Sequence, residues 1–178
     1  QPDIITFGKI IGGGLPVGAY GASDEIMAHI SPEGPVYQAG TLSGNPVAMS
    51  AGVAQLRECL QTGFYEDLEK KTADFTSAVN DHATSNGYAV RMVHEASIFW
   101  MAFSESEEIR SASEIDGKKM DWFSRFHHLL LEKGVYIGPS GYEVGFISTA
   151  HQKEDLDRAA GLICEALDEL FSATSGTP

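Results

Sequence analysis

The sequence predicts an α/β chain that opens with strands and helices and closes as a small α+β domain on an antiparallel sheet. Three observations predict it. The apolar run Ile4 to Phe7 reads as a buried strand leading onto a glycine-rich turn. Two helical patterns follow, over residues 45–63 and 64–86. Beyond them, stretches rich in β-forming residues alternate with amphipathic helices.

Taken in order, residues 15–19 form a second short strand, antiparallel to the first or returning beside it. Ser23-Asp24-Glu25 opens a brief helix whose first turn places acids at the positive end of the dipole. Pro32, Gly34 and Pro35 break the chain into a loop. Asn45 then caps a helix with Pro46 at its first position and Gly63 past its end. Val47, Ala48, Ala51, Ala54 and Leu56 make that helix rich in small residues, fit for close packing against a neighbour. The next helix carries Leu68, Phe75, Val79 and His82 down one side and stops at Gly87. Strands are expected over 88–93 and 97–103, with His94-Glu95-Ala96 between them. The acidic, serine-rich tract 104–117 reads as the least ordered part. A helix over 119–133 ends at Gly134, and short strands over 135–138 and 144–148 flank the Pro139-Ser140-Gly141 turn. A final helix over 153–171 aligns Leu156, Ala160, Ile163, Leu167 and Leu170, and residues 172–178 should fray.

Composition narrows the function classes. A net charge of −13 argues against nucleic-acid backbones or anionic membranes as partners, which need basic patches. No apolar run is long enough to span a bilayer. Cys59 and Cys164, both within helical patterns, imply no disulfide framework and suit a reducing, cytoplasmic setting. The histidines show no metal-ligand spacing with Cys, Asp or Glu, and adjacent His127 and His128 face different directions on a helix. No Gly-x-Ser-x-Gly elbow marks a serine nucleophile. Gln1-Pro2-Asp3 runs into a core strand with no initiator methionine, so the chain reads as the C-terminal piece of a longer enzyme.

The stretch that carries chemistry is Thr6-Phe7-Gly8-Lys9-Ile10-Ile11-Gly12-Gly13-Gly14-Leu15-Pro16-Val17-Gly18-Ala19-Tyr20-Gly21, with six glycines in fourteen residues. Glycines let backbone approach closely, and an amine kept in apolar surroundings sheds its proton and attacks carbonyl carbon. Pyridoxal phosphate is the natural carbonyl partner for such a lysine. A phosphate-cradling P-loop has its lysine after the last glycine with Ser or Thr next, whereas Lys9 precedes the triplet and Leu15-Pro16 follows it. From spacing alone, a solvated loop lysine beside a hinge is an equal reading.

Gly8-Lys9-Ile10-Ile11-Gly12-Gly13-Gly14-Leu15-Pro16-Val17-Gly18-Ala19 resembles the lysine segment of the class III, fold type I, pyridoxal-phosphate aminotransferases. The run Gly34-Pro35-Val36-Tyr37-Gln38-Ala39-Gly40-Thr41-Leu42-Ser43-Gly44-Asn45-Pro46 extends the resemblance and draws it toward the glutamate-1-semialdehyde aminomutase branch. The resemblance implies that residues 1–75 end the large cofactor domain with its sheet and linking helix, and that 76–178 form the small domain. It implies that Lys9 holds the cofactor aldehyde and then moves a proton between substrate and cofactor carbons. Gly40 and Thr41 are expected at the phosphate, Thr41 serving the cofactor of the neighbouring subunit in a homodimer with a shared site. Satisfying its own turn is the plainer role for Thr41. Glu143 stands near where related aminotransferases often carry an arginine for a substrate carboxylate; an acid there would repel a carboxylate and attract an amine. A plain surface glutamate is the alternative. The aspartate that pairs with the ring nitrogen, the stacking aromatic and the first phosphate loop are expected upstream of Gln1, so this piece alone should not turn over. Other readings are a different class III aminotransferase or a non-catalytic folding and dimerisation fragment.

Overall fold

A computed structural model describes residues 2–104, 106 and 109–174. Gln1, the acids Glu105, Glu107 and Glu108 of the expected disordered tract, and 175–178 of the expected fraying tail lie outside the described residues.

The chain divides into two compact units, Gln1–Phe64 and Tyr65–Pro178. The sequence-expected boundary at 75/76 lies eleven residues further on, inside a continuous helix. The reason is local: that helix gives Leu68, Phe75, Val79 and Ala83 to the buried core of the second unit.

In the first unit β1 (Ile4–Phe7) pairs antiparallel with β2 (Ala19–Ala22), placing Ile4 opposite Ala22 and Phe7 opposite Ala19. The second strand thus starts where the expected one at 15–19 ends, because residues 9–15 are spent on a 3-10 turn over Lys9–Gly12 and the glycines after it. Within this chain alone, which the sequence reads as part of a longer enzyme, Ile4, Ile5 and Phe7 of β1, a strand expected to be buried, are 53%, 48% and 54% exposed. A two-stranded ladder has no second layer to cover its faces. α1 (Asp24–Met27) follows Ser23, and α2 (Pro46–Cys59) begins under Asn45, whose Oδ1 accepts from the amides of Val47 at 3.0 Å and Ala48 at 3.2 Å.

The second unit is built on a three-stranded antiparallel sheet in the order β3 (Arg91–Glu95), β4 (Ile98–Ala102), β5 (Gly145–Phe146). α3 (Phe64–Asn86), α4 (Met120–Glu132) and α5 (Lys153–Thr174) supply its helices. Phe75, Val79, Met92, Met101, Phe103, Phe126, Leu130, Ile163 and Leu167 join in one buried cluster, as the periodicity of the helices predicts. β3 lies two to three residues later than expected, so His94 and Glu95 pair within the ladder and the hairpin turns at Ala96-Ser97. Its outer edge is closed by α3: the Asn80 side chain donates to Met92 O and accepts from Met92 N, both at 2.8 Å.

Residues 135–138 were expected as a strand and form none. The Val135 amide closes the end of α4 on Leu130 O at 2.8 Å, and the Ile137 carbonyl faces His127 Nε2 at 3.3 Å. Backbone groups used there are not free for a ladder. The strand expected over 144–148 is cut to two residues, and Ser172 to Thr174 stay helical rather than frayed.

Candidate active site

Lys9 follows directly on the strand–turn boundary at Gly8. It has φ +50°, a left-handed backbone that costs a non-glycine residue of the order of 1–3 kcal/mol. Together with the turn at Gly13, also left-handed at φ +57°, this folds Lys9–Gly12 back onto α2. The approach is close. A β-carbon on Gly52 would stand 2.5 Å from Ile11 O, and one on Gly13 would stand 2.6 Å from Ala51 O. Only glycine at both positions lets the lysine turn rest on the helix backbone. The glycine triplet therefore does two jobs: Gly12 and Gly13 pack against Val17 and α2, whereas a β-carbon on Gly14 would meet nothing within 4 Å.

The apolar enclosure expected around Lys9 is not supplied among the described residues. Lys9 is exposed, Ile10 is 64% exposed, and no described group accepts a hydrogen bond from the amine. Among the described residues it has no ion pair, which leaves a primary amine open to a carbonyl.

Gly40 and Thr41 lie on an exposed turn just before the N-terminus of α2. Ser43 N donates to Gly40 O at 2.9 Å and Asn45 N to Leu42 O at 3.1 Å, which leaves the Thr41 hydroxyl and amide without a partner among the described residues. The first amides of α2 are taken by Asn45, so an anion here would meet the Thr41 turn and not the open end of the helix. Each group suits one end of a phosphorylated aldehyde: the Lys9 amine its carbonyl, the Thr41 hydroxyl and amide its phosphate.

Glu143 belongs to the second unit, apart from Lys9 and Thr41 in the chain's organisation. It is exposed, its amide donates to Ser140 O at 3.0 Å, and its carboxylate lies over Gly138. Near it lies a cleft of about 360 Å³ lined by Phe75, Phe99, Ile137, Phe146 and Ile163, with His151 and Asp155 among its few polar groups. The sequence reading missed this cleft, because its lining side chains carry the same periodic signal as core. His151 is held by accepting from Ser148 N at 3.0 Å, while Lys71 clamps the same loop through the carbonyls of Thr149 and His151.

Comparison with known proteins places this geometry in context. Solved structures with similar folds include an omega-transaminase from Sphaerobacter thermophilus, 27% identical with TM-score 0.83. A β-phenylalanine aminotransferase from Variovorax paradoxus is 25% identical with TM-score 0.79. A glutamate-1-semialdehyde aminomutase variant from Pseudomonas aeruginosa PAO1, in complex with PMP, is 22% identical with TM-score 0.75 and likens the fold alone. Each match covers 96% of this chain, but the chain spans only 39%, 39% and 40% of those proteins. Residues 1–167 match the family described as aminotransferase class-III, and the chain belongs to that family.

Proposed function

We propose that the whole protein of which this chain is part is a pyridoxal-phosphate aminomutase that converts (S)-4-amino-5-oxopentanoate, glutamate-1-semialdehyde, to 5-aminolevulinate for tetrapyrrole synthesis. The observation that carries the cofactor part is the exposed Lys9 amine, without a partner among the described residues, on its strained turn against α2. Lys9 Nζ would hold the cofactor by a covalent bond and, once displaced by substrate, carry the proton between the substrate carbon that bears nitrogen and the cofactor carbon. Thr41 Oγ1 and its amide would hold the phosphate from the neighbouring subunit. When bound, pyridoxal phosphate supplies the electron sink that lets a carbon–hydrogen bond next to nitrogen break. The product is an isomer of the substrate, so no external amino donor is consumed.

What favours the mutase over other class III aminotransferases is Glu143. An acid repels a substrate carboxylate and attracts an amine, which suits a molecule whose ends exchange amine and carbonyl. The runner-up is an aminotransferase using a separate donor and acceptor. With the whole protein, 5-aminolevulinate formed from glutamate-1-semialdehyde without added donor supports the mutase; a strict need for amino donor and keto acid supports the aminotransferase. Borohydride reduction of the cofactor-loaded protein, followed by peptide mapping, should find the adduct on Lys9. An adduct on Lys70 or Lys71 would remove Lys9 from its role.

A further inference from the structure

β3 is an edge strand fit to pair with another strand, and two side chains of α3 occupy the edge where that partner would lie. Asn80 bonds both the amide and the carbonyl of Met92 at 2.8 Å, so these two groups point away from β4. By the alternation of an antiparallel ladder, those of His94 point away too. Thr76, one turn before Asn80, meets His94 Nδ1 through its hydroxyl at 3.0 Å. The spacings agree: four residues of helix advance about 6 Å, and two residues of strand about 6.8 Å. Residues 76 and 80 of α3 are thus matched to 94 and 92 of β3, and the helix stands in for a fourth, antiparallel strand. Met92 is 3% and Thr76 1% exposed, so neither finds water if its partner is lost.

The residues of β3 themselves favour pairing with their own copy. The strand holds no proline and no lysine, the usual blunting residues of an edge. Two copies set antiparallel about Val93 would place Met92 opposite His94 as a hydrogen-bonded pair and Val93 opposite Val93. Arg91 would then face Glu95 at each end, and these exposed side chains carry opposite charge. The net charge of −13 repels a copy at a distance, but salt at 0.15 M screens that repulsion beyond about 8 Å. We propose that this edge is a self-recognition surface whose partner is a second copy of this chain, paired β3 to β3 about Val93, and that Asn80 and Thr76 are the lock that keeps it shut. Lys9, Thr41 and Glu143 take no part in it.

The test uses the whole protein with Val93→Cys as reporter, because a non-hydrogen-bonded antiparallel pair brings α-carbons to about 4.5 Å, within disulfide reach. The reporter is oxidised with diamide in about 0.15 M salt, with the lock intact and with Asn80→Ala/Thr76→Val. Peptide mapping tells a link between two position-93 thiols from any link through Cys59 or Cys164. With the lock intact no such link should form; with the lock removed it should. Sedimentation of the unlocked protein, without the reporter, should show assemblies about twice the mass of the parent's. In dilute protein its Met92 amide should exchange about tenfold faster, the loss of one hydrogen bond. A link formed with the lock intact would show an open edge and overturn the lock. Faster exchange with neither link nor heavier assembly would overturn the self-recognition surface. Unchanged exchange would show that Asn80 does not hold the edge, and would also overturn the lock. Should the double variant not fold, Asn80→Asp keeps the acceptor for the Met92 amide and loses the donor to its carbonyl. That variant must then give more of the 93–93 link than the parent does, or the inference falls.

Discussion

At the residue scale, the site is built on a backbone conformation that side chains avoid. Lys9 takes φ +50° where glycine would be relaxed, and it sits between Gly8 and a turn that could have accepted glycine. Strain kept at such a position reflects the need for the side chain. We therefore expect Lys9→Gly to abolish turnover in the whole protein while raising its stability, measured without cofactor by urea unfolding, by about 1 kcal/mol. A destabilised Lys9→Gly protein would show that the left-handed turn stores no strain. Thr41 and Glu143 carry no such mark, and their roles rest on their loops.

At the element scale, α2 is the piece that organises the first unit. Asn45 caps it, Pro46 starts it, and Ala51 and Gly52 receive the lysine turn. Gly52→Ala places a methyl group against Ile11 O, so the turn must lift from the helix. The expected cost is about 1–3 kcal/mol of stability, with a fall in kcat because Lys9 moves too. Thermal unfolding and steady-state kinetics on one preparation check both; an unchanged Tm would mean that the turn does not rest on α2. In the second unit α3 and α5 are tied by a polar cluster. Asp168 Oδ1 accepts from His82 Nε2 and from the Tyr88 hydroxyl, each at 2.8 Å, and the Tyr88 ring stacks on Phe171 at 4.3 Å. Burial pushes the Asp168 carboxyl up, but the hydrogen bonds from Tyr88 and His82 outweigh it and leave it below its ordinary value. The bond to Asp168 first, then burial, holds the Tyr88 hydroxyl above its own. The signs follow from proton binding. Asp168 contributes stability above its unfolded-state value and loses it as pH falls through the folded one. Tyr88 contributes below its unfolded-state value and loses it as pH rises toward the folded one. Asp168→Asn should thus lower stability at neutral pH and flatten its acid limb below about pH 5, read from urea midpoints against pH. Parallel wild-type and variant curves would remove the cluster from the pH dependence.

At the scale of the whole molecule, the first unit leaves much apolar surface open: Phe7, Ile10, Tyr37, Leu42 and Val47 are 54%, 64%, 82%, 64% and 69% exposed. An apolar surface of that extent asks to be covered. The proposed cover at the Thr41 turn is a second subunit, related by a two-fold axis, and the alternative cover is the rest of the same polypeptide, since this chain spans only 39% of a matched protein. A mixing experiment tests it with Lys9→Ala and Thr41→Val chains of the whole protein. If each site takes Lys9 from one chain and Thr41 from the other, hybrid dimers hold one intact site and activity rises above the mean of the parents. If both residues serve one chain's site, every hybrid site carries one defect and activity stays at or below that mean.

What the sequence determined by itself was local. Helix identities followed from 3.6-residue periodicity, the Asn45-Pro46 start, and the stops at Gly87 and Gly134, which take φ +69° and +80°. The antiparallel sheet of the second unit and the class-III family were also legible, since long motifs and β-rich runs need no knowledge of neighbours. The tertiary structure decided what depends on distant contacts. It left β1 exposed within this chain, because burial is a property of the second layer and not of the strand's own residues. It denied a strand to residues 135–138, because the end of α4 claimed the Val135 amide first. It set α3 with the second unit, because Phe75, Val79 and Ala83 found their core there. And it gave the glycines of the lysine turn their purpose, since only the backbone of α2 pressing on Gly13, and that of Ile11 on Gly52, makes a β-carbon intolerable there.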